Sequence, residues 1–278
     1  MTTRNLSAAV LAALLLAPAA AKAADEVRYC GSSTIGQSIL QMAGARRAFE
    51  AKSGIKFGAL DVPGSGKGIE ALLADKANVA GASRPLKADE KAKGVVATVI
   101  GYDAVAVFVN VDNPVEKLTK AQLKGIFTGA IKNWKEVGGK DAPIAVNTEI
   151  LTAKRATVEM FNELVMDKAP YGTGFKEIDL PKDQIVDVAK NPNAIGTPSL
   201  GLLSAVAKDL RAKVKAVAVD GVAPTHDAVR AGTYPISRPL NLATMGAPSG
   251  TAKAFIDFML TPEGQAFVEK DFVGVAKR

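Results

Sequence analysis

From residue 26 onward, short apolar stretches run into Ser/Gly-rich turns and then into segments of helical periodicity, an order that commits the chain to an α/β layer architecture. Residues 26–29 open a strand, Gly31-Ser32-Ser33-Thr34 makes a turn, and Ile35, Ile39, Met42 and Phe49 recur at helical spacing until Gly54 stops them. Residues 56–62 read as a strand, Gly64-Ser65-Gly66 as the next turn, and Ile69, Leu72 and Leu73 as the apolar face of a helix. Residues 78–82 form a third strand that ends in Ala82-Ser83-Arg84, and 87–93 a polar, exposed helix. The alternation predicts a mostly parallel sheet, whose ligands sit outside the carboxyl ends of the strands, where the three turns fall.

Such turns suit a small oxyanion. The first N–H groups of a helix have no partner within it, and they lie at the positive end of its dipole. Each turn taken singly is explained by helix capping, for which Ser and Thr are favoured. Three together, with the basic element Thr152-Ala153-Lys154-Arg155 later in the chain, point to an anion-binding cleft. A cation at the start of a helix opposes the dipole, and an anion bound beside Arg155 offsets that.

The rest of the chain extends the same architecture. Residues 95–109 are almost continuously apolar and read as two strands with a bend at Gly101-Tyr102-Asp103, crossing between two lobes. Thr119-Lys120-Ala121-Gln122 is a capping box. Residues 143–146 read as a strand, Thr152 as the cap of a helix carrying Val158, Phe161, Leu164 and Val165, and 183–190 as a short helix. Residues 194–202 give a strand and turn, and 214–219 another strand. Thr225, Ser249 and Thr261 cap helices near the end, and 234–244 form an extended segment that returns to the first lobe. Trp134 reads as a core residue.

Composition excludes several classes of function. Aromatic residues are 5% and no basic run occurs, which disfavours nucleic acid as a partner. The single histidine, His226, stands at a helix start with no acid or nucleophile motif near it, so no Ser-His-Asp arrangement forms and no catalytic residue is nominated. One histidine and one cysteine give no metal site, the spacing of Gly64-Ser65-Gly66-Lys67-Gly68 is not that of a Walker loop, and no cofactor is expected. Cys30 cannot close an internal disulfide and is expected to pack at the end of a buried strand. Arg4, the apolar run 6–17 and Ala21-Lys22-Ala23 have the form of a cleavable signal peptide over 1–23, giving a periplasmic, soluble product in a Gram-negative host, with no membrane insertion. Arg4 and Lys22 fall in that leader, so the +7 formal charge drops to +5 in the mature chain, a mild excess compatible with anionic ligands.

In three sets of motifs the chain resembles the periplasmic phosphate-binding proteins of ABC transporters, in the type II periplasmic-binding-protein family. They are Gly31 to Thr34 with Gly64-Ser65-Gly66-Lys67-Gly68-Ile69, then Ala82-Ser83-Arg84-Pro85-Leu86-Lys87 with Ile100 to Ala106, and then Phe127-Thr128-Gly129 with Asn133-Trp134 and Tyr234-Pro235-Ile236-Ser237-Arg238-Pro239-Leu240. The resemblance implies two lobes of mixed sheets flanked by helices, joined by crossing strands that act as a hinge. Lobe 1 would comprise 24–104 plus 223–278, and lobe 2 105–222. It implies a monomer that traps inorganic phosphate between the lobes and delivers it to a membrane permease. Ser33, Thr34 and Ser65 would hold the anion from lobe 1, with Ser83 and Arg84 at the same site, and Thr152 and Arg155 from lobe 2.

Two departures keep other ligands open. The family offers a Ser-Gly-Thr-Arg run where this chain has Thr152-Ala153-Lys154-Arg155, so Ala153 places a methyl group where glycine admits close backbone approach. Members of the family carry an aspartate near the position of Arg84, and arginine accepts no hydrogen bond. Asp61, Asp103 and Glu149 are the acids that can take its place. Phosphate therefore stands beside two alternatives: another oxyanion (sulfate, an oxometalate or a phosphonate), or a binding-deficient relative that acts through interaction or signalling.

Overall fold

The computed structural model describes residues 26–275 apart from Lys154; the leader expected over 1–23 lies outside the described residues. Two six-stranded sheets carry the fold. The first opens with β1 (Glu26–Gly31), a π-helix over Thr34–Met42, α1 (Ala45–Ser53), β2 (Lys56–Asp61), α2 (Ser65–Leu73) and β3 (Val79–Ala82). β1 pairs in parallel with both β2 and β3, so each helical connection crosses over one face and the carboxyl ends of all three strands share one edge. Burial alternates strictly along β1, and every residue of β3 is buried.

After α3 (Ala88–Ala92) comes β4 (Val95–Ala104). Gly101-Tyr102-Asp103 does not end the strand, although the register shifts at Ile100 just before it. β4 runs through it, paired with β11 (Ser237–Met245) from Val95 to Ala104, and the break falls at Val105 and Ala106. Gly101 serves close approach instead, since a Cβ there would come within 2.8 Å of the Val273 carbonyl oxygen. β11 returns antiparallel between β3 and β4, and β12 (Val273–Gly274) closes the far edge against β4. The sheet is thus mixed rather than mostly parallel.

The second sheet has the order β6 (Lys117–Leu118), β10 (Val214–Val219), β5 (Val107–Asn110), β9 (Ala194–Gly196), β7 (Ala145–Glu149), β8 (Lys176–Ile178), and it is mixed as well. Around it stand α4 (Lys120–Thr128), α5 (Ala156–Leu164), α6 (Lys182–Lys190) and α7 (Lys208–Arg211), whereas α8 (His226–Arg230) lies against β4 and β12 of the first sheet. α9 (Gly250–Leu260) and α10 (Pro262–Val268) cover the first sheet. One core cluster is centred on Phe49, Phe57 and Phe255 of the first sheet's layer, and another on Phe127, Trp134 and Phe161, which also takes in Ala104 of β4 and Val273 of β12. Burying an aromatic side chain of this kind stabilises by roughly 1.5–3 kcal/mol.

The chain passes between the sheets at two adjacent points. Val105 N donates to the Ile236 carbonyl at 3.0 Å, and the Tyr234 hydroxyl to the Val105 carbonyl at 3.0 Å. Thr152 does not cap α5. It lies exposed in a separate 3₁₀ turn over Leu151–Ala153, and Arg155, with extended backbone, is the residue preceding the helix.

Candidate anion-binding site

Close glycine packing draws the first sheet's turns together. A side chain on Gly31 would strike the Gly81 carbonyl, and a Cβ on Gly68 would come within 2.5 Å of the Gly31 Cα. With that space open, Ser32 N donates to the Gly81 carbonyl at 2.9 Å and Gly64 N to the Gly31 carbonyl at 3.0 Å. Three hydroxyls then converge. Ser32 Oγ donates to Ser83 Oγ at 3.0 Å, Ser83 N donates to Ser65 Oγ at 3.1 Å, and Ile35 N donates to Ser32 Oγ at 3.3 Å. Ser65 is the first residue of α2, so the unpartnered N–H groups of that helix open at the same place.

Beside this cluster lies Arg238, 1% exposed on β11. Its Nε and Nη2 donate to Asp103 Oδ2 at 3.0 and 2.8 Å, Nη2 also to Thr34 Oγ1 at 3.3 Å, and Nη1 to Thr157 Oγ1 at 3.0 Å. Thr34 follows β1 of the first sheet, whereas Thr157 sits in the first turn of α5 on the second. One guanidinium therefore draws hydroxyls from both sheets to a single point. Each threonine oxygen accepts from the arginine, so its own proton points elsewhere, that of Thr157 within reach of Glu149.

Glu149 ends β7 next to this point, buried, and its Oε1 has no hydrogen-bond partner. Burial raises its pKa above the ordinary carboxyl value, against the opposing pull of Arg155, Arg238 and the Thr157 hydroxyl. Asp103 and Glu149 thus lie at the site, while Asp61 is exposed at the end of β2.

The residues expected from sequence fall into two groups. Ser65 and Ser83 are buried and brought together, and Thr34 is buried against Arg238. Ser33 is turned toward a groove with Gln37, Met42, Leu180 and Pro181. Arg84 is buried against carboxylates, and Thr152 is exposed. Arg155 donates to the Asp179 carbonyl and to Asp179 Oδ1 at 2.8 Å, with Glu149 Oε2 at 3.7 Å. Ser32, Thr157 and Arg238 were not among the expected contacts. Arg238 stood in the Ser237-Arg238-Pro239 motif, and Thr157 two residues beyond Arg155. Among the described residues no group of three His, Cys, Asp or Glu side chains could hold a metal ion, and no helix is long and apolar enough to cross a membrane.

Known proteins carry the same architecture. Residues 16–263 match the PBP superfamily domain. The chain is 32% identical over 258 residues to the phosphate-binding protein PstS of Bacillus subtilis, covering 90% of this chain and 82% of that one. A crystal structure from Clostridium perfringens, assigned as a phosphate ABC transporter substrate-binding protein and containing bound phosphate, superposes with a TM-score of 0.78 at 32% identity, over 91% of this chain and all of the other. An ABC-type phosphate transport receptor from Vibrio cholerae gives 0.76 at 27% identity, over 90% of this chain.

Proposed function

Because the chain belongs to the PBP superfamily, and within it to the PstS phosphate-binding proteins, we propose that it captures inorganic phosphate between two lobes and presents it to an ABC-transporter permease. Lobe 1 comprises 24–104 with 223–278 and lobe 2 105–222, exported to the periplasm behind a cleaved leader and working as a monomer. The protein acts by binding, not by chemistry. The ligand set is Ser32, Thr34, Ser65 and Ser83 from lobe 1, Thr157 from lobe 2, and Arg238 between them. Arg155 stands at the rim, tied to Asp179.

The observation that carries this is the meeting of Thr34 and Thr157 on one buried guanidinium. An anion there is offered hydroxyl protons from both lobes, the α2 amino terminus, and a cation whose charge Asp103 has already balanced. Charge-assisted hydrogen bonds contribute roughly 1.5–3 kcal/mol each. Three or four, less the cost of closing the lobes, reach the −8 kcal/mol or so of micromolar binding. Calorimetric titration tests it: phosphate should bind at micromolar concentration or below and hold its place against excess sulfate. Heat from sulfate, molybdate or a phosphonate but none from phosphate would reassign the ligand, and no heat from any of them would remove the function.

A further inference from the structure

Arg84 stands next to Ser83, yet its guanidinium faces protein. It is 3% exposed, with Nη1 and Nη2 clamping Glu90 at 2.9 and 2.7 Å, Nη1 also donating to the Pro85 carbonyl at 2.9 Å, and Nε donating to Glu159 Oε2 at 2.7 Å. Lys87 Nζ takes the other oxygen of Glu159 at 2.7 Å, and its backbone N donates to Glu90 Oε2 at 2.8 Å. Asn241 Nδ2 fixes the Arg84 carbonyl at 2.8 Å. Burial disfavours charge on Arg84, but Glu90 and Glu159 more than offset this and hold its pKa above the ordinary arginine value.

The membership of this quartet is uneven. Arg84, Lys87 and Glu90 follow β3 on the first sheet, whereas Glu159 rides on α5, two residues beyond Thr157. Two cations are held in place on one side, and one carboxylate meets both from the other. The Arg84–Glu90 clamp lies within one side, so Arg84 keeps a counter-charge when Glu159 leaves. That makes the cross-connection reversible. It also acts on the amino-terminal half of α5, whose position decides whether Thr157 reaches Arg238.

We propose that Glu159 is a positioning residue: by bridging Arg84 and Lys87 it sets the amino terminus of α5 against the first lobe and biases the cleft toward closure through protein groups alone. This rests on the two-lobed capture reading above. A bridge that favours the closed form tightens ligand binding by that bias and slows release. Its Lys87 arm is half exposed, so added salt weakens it.

The test compares the full chain with Glu159→Gln and, as a milder change on the exposed arm, Lys87→Met. Solution X-ray scattering without added anion should show a larger radius of gyration in Glu159→Gln and a smaller change of the same sign in Lys87→Met, with wild type moving toward the variants at high salt. Inorganic phosphate should bind Glu159→Gln about tenfold more weakly, mainly through faster release in stopped-flow. A purely structural role would lower the melting temperature and leave scattering and release unchanged, and that result in both variants overturns the proposal. If wild type gives no heat with phosphate, the capture function fails on its own, and the scattering comparison still decides the bridge.

Discussion

Arg238 and Asp103 are register partners on β11 and β4, and their side chains form a two-donor ion pair with 0% and 1% exposure. A buried pair of this kind need not add stability, but removing one partner strands the other's charge. Here the arginine also holds the hydroxyls of Thr34 and Thr157, so the pair fixes the geometry in which hydroxyls from the two sheets meet, at the point proposed for the anion.

Asp103→Asn keeps the shape and removes the charge. It should destabilise the protein by about 3–5 kcal/mol, as for a broken buried ion pair, and weaken phosphate binding as Arg238 loses its orientation. Urea denaturation measures the first and calorimetry the second. A change in stability below about 1 kcal/mol would mean that the guanidinium does not depend on Asp103.

Inward and outward hydroxyls should separate cleanly. Ser65→Ala removes a buried oxygen that accepts from Ser83 N and lies 3.5 Å from Ser83 Oγ, and should weaken phosphate binding about tenfold or more. Thr152→Ala changes an exposed residue, and Ser33→Ala one that lines the groove with Gln37, Leu180 and Pro181. Neither hydroxyl touches the Ser32–Ser65–Ser83 cluster or Arg238, so both changes should leave the dissociation constant within about twofold, a loss of at most about 0.5 kcal/mol. A large loss from Thr152→Ala would place the second lobe's contribution one turn earlier than the structure does.

Glu149 sets a pH dependence of stability. Its folded pKa is raised above the ordinary 4.5, so the folded protein holds this proton more tightly than the unfolded chain. The resulting stabilisation is fully present below about 4.5 and is lost as pH rises through the folded value. Glu149→Gln is never charged. Its melting temperature should match wild type in acid and exceed it progressively toward neutral pH. A variant that is less stable than wild type at neutral pH would show that the ionised carboxylate supports Arg155 and Arg238 more than burial opposes it.

What could be read from sequence was what local chemistry decides. Thr119-Lys120-Ala121-Gln122 forms its capping box, with Gln122 N donating to Thr119 Oγ1 at 3.1 Å and Thr119 N to Gln122 Oε1 at 2.8 Å. Thr225 and Thr261 cap their helices with one hydroxyl bond each, whereas Ser249 precedes its helix without a side-chain cap bond. Ser65 and Ser83 were legible because each turn ends a strand of one parallel unit. The choice between Ser32 and Ser33 was not, since Ser33 is already in helical backbone at the head of the π-helix, which puts Ser32 Oγ on Ser83 and Ser33 in the groove with Gln37 and Leu180. Nor was Thr157 in place of Thr152, because the start of α5 depends on an extra 3₁₀ turn after β7. Arg238 reaches Asp103 across 135 residues of chain, a pairing no local pattern announces.

The central claim is that one anion is gripped from both lobes at once, and phosphate titration into Thr34→Val, Thr157→Val and the double variant tests it most directly. Each single change removes one hydroxyl without altering side-chain size, and should weaken binding by about ten- to a hundredfold. The losses should be non-additive in the double variant, because both hydroxyls share Arg238. Wild-type affinity in Thr157→Val would contradict the claim, since the second lobe would then contribute no hydroxyl to the grip.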